Sequence, residues 1–197
     1  MSDSNDKTVQ SYEAHIQEYV EGTPQQVTGY VKDWIDDALS HVPPGATVLE
    51  LGSAFGRDAA YIESAGYKVQ RSDVAKGFVN LLKSQGHDAK LLNALTDPLG
   101  GPYDMVFADA VLLHFTVDEF NTVSAKIYAS LRTQGIFAFT VKQGRGSEWS
   151  DDKLGAPRFF QYWQREDLQR AVEQAGFKLL RLSADPAAKW WQVVAAK

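Results

Sequence analysis

The chain of 197 residues has no cysteine, which excludes disulfides, thiolate metal sites and cysteine nucleophiles. No stretch approaches the ~18 apolar residues of a membrane span. Positive charge is also scarce: 20 lysines and arginines face 25 acids, for a net charge of −5. Phosphate backbones reward stripes of lysine and arginine, so a broad nucleic-acid surface is not expected. Asp109 and Asp118/Glu119 are possible acids but show no paired metal-ligand arrangement, so no metal is expected. The opening "MSDSNDK" is polar and acidic, unlike a signal peptide, and the reading is cytoplasmic with residues 1–8 disordered. No internal repeat or low-complexity segment occurs.

The remaining chain is long enough for one substantial core, so a single domain over residues 1–197 is expected. Apolar spacing of helical period predicts helices over Val9–Val20 and Gln26–Val42, separated by Gly22-Thr23-Pro24 and stopped at Pro43-Pro44-Gly45. Strands are then predicted at Thr47–Leu51, Tyr67–Ser72, Ala89–Leu92, Met105–Ala108 and Gly135–Val141. Helices fall at Gly56–Ser64, Lys76–Gln85, Val117–Leu131 and Arg165–Ala175. Alternation of this kind gives a doubly wound α/β fold with a mostly parallel sheet. Phe177–Ser183 and Trp190–Ala196 are joined too closely for a parallel crossover, so an antiparallel C-terminal hairpin is expected.

The stretch "VLELGSAFGRDAAYI" is a strand that ends in small residues and passes into a helix, the arrangement that cradles ligands in such folds. A phosphate-binding P-loop needs lysine and then serine or threonine after the last glycine, and Arg57-Asp58 stand there. A dinucleotide fingerprint needs glycines at its first, third and sixth positions, where this loop has Gly52, Ala54 and Arg57. Glu50 would also face a doubly negative pyrophosphate. S-adenosylmethionine reverses that electrostatic logic, because it carries a sulfonium and an ammonium, and its one anion is a carboxylate that backbone N–H groups can take.

At Glu50-Leu51-Gly52-Ser53-Ala54-Phe55-Gly56 the sequence resembles the first motif of the class I S-adenosylmethionine-dependent methyltransferases, with Ala54 in place of the middle glycine. The resemblance runs from Thr47 to Lys197, a core taken as residues 46–197. It extends more loosely to the two N-terminal helices within residues 1–45, which that family uses as a lid. It implies a Rossmann-like methyltransferase fold and S-adenosyl-L-methionine as cofactor. Its cofactor site would comprise Glu50, Gly52, Ser53, Ala54 and Gly56 of the loop, and Asp73 with Val74 after the second strand. Asn93, Ala94 and Leu95 would follow the third strand, and Asp109 and Ala110 the fourth. Asp73 would accept the ribose hydroxyls and Asn93 would meet the adenine edge. An Asx turn is the competing reading of Asn93, and helix capping that of Asp73.

For the acceptor side, His114 is the one histidine on a carboxyl-end segment of the sheet and is the candidate general base, if the reaction needs one. The aperiodic segment Gln143–Arg158 reads as a substrate-side lid, although Phe159–Trp163 could equally be a sheet-edge segment. Tyr12, Tyr19, Lys142, Trp149 and Tyr162 are the candidate acceptor or lid residues. No Asn/Asp-Pro-Pro-Tyr follows the fourth strand, where "ADAV" stands. O- or N-methylation of a small organic molecule is therefore the leading reading. A tRNA-modifying methyltransferase and a non-catalytic cofactor- or nucleoside-binding module are the alternatives. The oligomeric state is not legible.

Overall fold

The structure, a computed structural model, describes residues 3–197. Three helices come first: α1 (Asp3–Ala14), α2 (Ile16–Glu21) and α3 (Gly29–Ser40). They are followed by β1 (Thr47–Leu51), α4 (Arg57–Ser64), β2 (Lys68–Asp73), α5 (Lys76–Ser84), β3 (Ala89–Leu91) and β4 (Tyr103–Ala108). A 3-10 turn at Leu112–His114 then leads to α6 (Val117–Ser130) and β5 (Leu131–Gln143). The chain closes with β6 (Ser147–Ser150), β7 (Arg158–Trp163), α7 (Arg165–Gln174), β8 (Lys178–Ala184) and β9 (Trp190–Ala196).

Strands β3, β2, β1, β4 and β5 pair in that order and in parallel. Beyond β5, β9 and then β8 add antiparallel, and this is the C-terminal hairpin. Side chains alternate along the central strands with the period of two that a sheet covered on both faces requires. Leu49, Val106, Phe137 and Phe139 join α6 and α7 through Phe120, Val123, Leu168 and Val172. Val48, Met105, Phe107 and Ala138 pack on the other face against Trp34, Ile35, Ala38 and Leu39 of α3. α6 starts sharply because Thr116 and Glu119 form a reciprocal capping box.

Three expectations change. The first helix begins at Asp3, so of the segment 1–8 only residues 1 and 2 lie outside the described chain. Asn5, Thr8 and Ser11 are buried polar residues whose partners lie far along the chain, information that local composition does not carry. The predicted Val9–Val20 helix is broken at His15 into α1 and α2. Gln143–Arg158 is not aperiodic throughout, since β6 pairs antiparallel with β7 and β7 touches β5 only at its end, through Lys142 and Gln143. A strand as short as "SEWS" with one partner has no buried face to give it an alternating pattern. Among the described residues no helix is long and apolar enough to cross a membrane.

Candidate active site

β1, β2 and β4 end at one edge of the sheet, and the order reverses between β1 and β4, the position where doubly wound folds open a crevice. Gly52 leaves β1 with φ 71°, and a Cβ there would stand 2.4 Å from Val111 Cγ2. Gly56 follows with φ 84° at the head of α4. Between them Ala54 also holds a left-handed φ, 47°, at a cost of roughly 1–2 kcal/mol for a residue with a Cβ. Its N–H donates to Asp73 Oδ2 at 2.9 Å, which ties the loop to the end of β2. Gly52→Ala combines a left-handed backbone with a contact that Val111 cannot absorb. It is expected to cost ~1–3 kcal/mol of stability and to weaken cofactor binding, as read by denaturant unfolding and calorimetry.

Three connected compartments run along this edge. The smallest, about 40 Å³, is lined by Leu92, Asn93, Ala94, Val74, Gly52 and Asn5, among others. The second, about 90 Å³, adds Asp73, Phe78, Thr8 and Val9. The largest, about 300 Å³, is lined by Ser53, Arg57, Asp58, Lys142, Lys153, Arg158 and Phe160, with further loop residues. Tyr12, Tyr19, Gly52, Ala54, Asp109, Ala110 and His114 border both the second and the third, and so form the neck between them.

The acids are buried and protonate easily. Burial raises the Asp73 carboxyl to about 6 against the pull of the Ala75 and Ala54 N–H groups. Asp109 is likewise raised to about 6 by burial and by Asp58, while Thr140 and Arg57 hydrogen-bond to it. Thr140 accepts in turn from the Ala110 N–H at 2.8 Å. Burial, reinforced by Asp58, lifts Glu50 to about 8, and its Oε2 has no hydrogen-bond partner.

His114 lies on the neck, 8% exposed. Its Nδ1 stands 2.6 Å from the Phe159 carbonyl, which can only accept, so the proton is on Nδ1. Nε2 therefore accepts from the Tyr12 hydroxyl at 2.8 Å. Burial, helped by Arg158 and Lys142, pushes the imidazole down to about 3, so it is neutral at any working pH.

Two segments roof the compartments and bond to each other. Thr8 Oγ1 accepts from Phe159 N at 3.0 Å, Ser11 donates to the Pro157 carbonyl at 2.6 Å, and Lys153 donates to Thr23 at 2.6 Å. α1 is also tied down by Glu13, whose carboxylate accepts from Gly77 N.

The residues expected from sequence divide accordingly. Gly52, Ser53, Ala54, Asp73, Val74, Asn93, Ala94, Asp109, Ala110, His114, Tyr12, Tyr19 and Lys142 line the compartments. Glu50 and Gly56 lie in the loop wall behind them, and Leu95 offers its carbonyl to Lys126 instead. Asn93 forms the Asx turn through Leu95 N, and its amide donates to Asn5 at 3.3 Å while its side chain borders the smallest compartment. Trp149 is 44% exposed and packs on Phe159 outside the cavity, and Tyr162 lines a separate surface groove and bonds to Glu148. Trp149 pairs opposite Phe159, on the hairpin face away from Arg158 and Phe160, and Tyr162 shares the face of those two but lies beyond the cavity along β7. α3, placed in the expected lid, is a core helix, because Trp34 is fully buried and bonds to the Val193 carbonyl. Asn5, Thr8 and Arg57 were not read from sequence as site residues, and Lys153, Arg158 and Phe160 were covered only by the general reading of a lid around residues 143–163. Only Arg158 and Phe160 carried a local signal, two positions apart in a β-rich run after Pro157.

A sequence model of the family described as "Methyltransferase domain" matches residues 49–139. No curated protein matches the chain in sequence. The whole chain superposes on 91% of the Burkholderia thailandensis 1,6-didemethyltoxoflavin-N1-methyltransferase, with 19% identity and a TM-score of 0.76. That structure contains 1,6-didemethyltoxoflavin and S-adenosylhomocysteine. An S-adenosylmethionine-dependent methyltransferase from Mesorhizobium loti matches over 82% of this chain and 96% of its own, with 13% identity and a TM-score of 0.66. The [4+2]-cyclase SpnF matches over 95% of this chain and 94% of its own, at 16% identity and a TM-score of 0.70. Likenesses at such identities establish the fold, and the cyclase illustrates that one fold hosts more than one chemistry.

Proposed function

We propose, from the premise that the chain is a class I S-adenosylmethionine-dependent methyltransferase, that its acceptor is a small organic molecule methylated at oxygen or nitrogen. The observation that carries this reading is the roofed compartment of about 300 Å³ beyond the neck. Its size suits a molecule of one or two rings, and a polymer would need the roof removed. The bound toxoflavin precursor in the Burkholderia enzyme supports it by analogy.

The residues present fit the cofactor. Gly52 borders all three compartments, and Asp73, at the middle one, can accept from ribose hydroxyls. Asn93 and Ala94 would border the adenine, and Asp109 and Ala110 the neck through which the methyl group faces the acceptor. When bound, S-adenosylmethionine supplies an electrophilic methyl group that needs no further activation. The protein's part is then alignment and exclusion of water. Tyr12 and Tyr19 wall the neck with aromatic faces suited to a sulfonium cation. α1, α2 and the segment joining β6 to β7 serve as the lid, and α3 does not.

Calorimetry with S-adenosylmethionine, S-adenosylhomocysteine and NAD is the first test, and NAD as the tightest ligand would overturn the reading. Labelled methyl transfer into a cell extract is the second. Label in tRNA instead of the small-molecule fraction would favour the nucleic-acid alternative. Asp73→Ala is expected to weaken S-adenosylhomocysteine by ~1–3 kcal/mol, because the ribose hydroxyls lose a charged acceptor. An unchanged affinity would reduce Asp73 to a tether of the Ala54 loop.

A further inference from the structure

Arg158 opens β7 and is 5% exposed, yet all its partners are neutral. Nη1 donates to the Tyr12 hydroxyl at 3.3 Å, the guanidinium lies 5.1 Å from the Phe160 ring, and Nε has no hydrogen-bond partner. Lys142 Nζ sits 4.1 Å from the same ring. Lys153 Nζ stands 3.9 Å from the Tyr19 ring at the mouth. All three line the largest compartment. Among the described residues none of them has a carboxylate at ion-pair distance, whereas Arg57 holds Asp58 and Asp109, and Arg71 holds Glu63. Of the acids nearby, Glu148 takes the Tyr162 hydroxyl and Asp152 lies exposed at the mouth. Neutral partners and ring faces do not offset the desolvation of a buried guanidinium. Burial and Arg158 accordingly lower Lys142, and the same causes bring Lys153 down to about 8.

We propose that the acceptor is a small planar acid, with an ionisable O–H or N–H, bound as its anion against Arg158 and Lys142, with Lys153 closing the mouth. The inference rests on the small-acceptor reading above. The acceptor's proton goes to solvent before transfer. The anion's lone pair then forms the bond to the methyl carbon as the carbon–sulfur bond breaks. Sulfonium and anion become a neutral thioether and a neutral methylated product. Stabilising the anion does the work of a base, which agrees with an imidazole at His114 whose lone pair is already engaged.

The test uses 4-nitrophenol, whose anion is followed by absorbance, on protein saturated with S-adenosylhomocysteine. The bound probe is expected to ionise at a pH at least about one unit below the free probe, a tenfold preference for the anion. Arg158→Met and Lys142→Met should each reduce that preference while leaving S-adenosylhomocysteine affinity within about twofold. Without ligands, Arg158→Met should raise Tm by roughly 2–8 °C, since an apolar isostere removes a buried unpaired charge. A bound probe that ionises no more readily than the free one, or no binding of the probe at all, would overturn the inference and leave the methyltransferase reading standing. A tenfold loss of S-adenosylhomocysteine affinity in either variant would assign the cations to the cofactor's carboxylate and also overturn it. Failure of the wild-type protein to bind S-adenosylhomocysteine would remove the reading on which the inference rests.

Discussion

Replacing His114 by alanine is expected to lower kcat by roughly 10²-fold and to leave S-adenosylhomocysteine affinity unchanged, because a misalignment of about 1 Å at the reacting centre costs that much. The imidazole bridges two segments distant in sequence: Nδ1–H donates to Phe159 of β7 and Nε2 accepts from Tyr12 of α1. Removing it frees the Tyr12 hydroxyl at the neck. A base role would require the buried imidazole to become a cation beside Arg158 and Lys142, and those charges together with burial oppose it. The pH dependence of kcat should therefore keep its shape in the variant. Tyr12→Phe should show a loss similar to that of His114→Ala, and the double variant should be no worse than either, as for residues that act as one unit. His114→Gln can still donate to Phe159 and accept from Tyr12, so it should recover part of the activity. Normal turnover in His114→Ala would make the residue a packing element. A limb of the wild-type pH profile near 6–7 that disappears in the variant would restore it as a general base.

Glu50→Gln is expected to stabilise the ligand-free protein by ~2–4 kcal/mol at pH 8.5 and to change it little at pH 4.5. The carboxyl is 2% exposed and lies beside Arg71 across β1 and β2, but Arg71 gives both terminal nitrogens to Glu63 at 2.7 Å. With its folded value near 8, above the ordinary carboxyl range, the native state holds a proton that the unfolded chain releases. Stability contributed at this position is therefore present at low pH and lost as pH rises from about 4.5 to 8. Ser53 hydrogen-bonds to the Glu50 carboxyl, and an isosteric amide can keep that contact while removing the charge. Urea midpoints at the two pH values measure the difference. A variant destabilised equally at both would mean that the carboxylate is ionised and supported by Arg71 throughout.

The bounds of β1 and β9 agree with the sequence expectation, and those of α4, α5, α6 and α7 agree to within a residue or so at each end. These elements announce themselves through local periodicity and glycine breaks, which act within a few residues of chain. α1 and β6 do not. The inner face of α1 is built of buried Asn5, Thr8 and Ser11 and half-buried Tyr12, polar residues that turn inward only when Asn93, Phe159, Pro157 and His114 come to meet them. Apolar spacing marks this helix only from Val9 onward, and nothing apolar announces its first turns.

The edge proposed for the cofactor was legible in the sequence because its parts sit at strand ends, where backbone geometry favours particular residues. Gly52 turns the chain with a left-handed φ that leaves no room for a Cβ, and Asp73 is the last residue of β2. The largest compartment was legible only in part: Tyr12, His114 and Lys142 were expected there, but their meeting with one another and with Arg158 belongs to the tertiary structure. Its wall joins Tyr12 of α1, His114 after β4, Lys142 of β5 and Arg158 of β7, residues 102 to 146 positions apart where they bond. Spacing along the chain says nothing of such distances. The same is true of charge: a sequence with a net −5 gives no sign that three cations gather, without carboxylate partners, around one cavity. Net charge sums over the whole surface, whereas recognition depends on which few charges the fold takes out of water together.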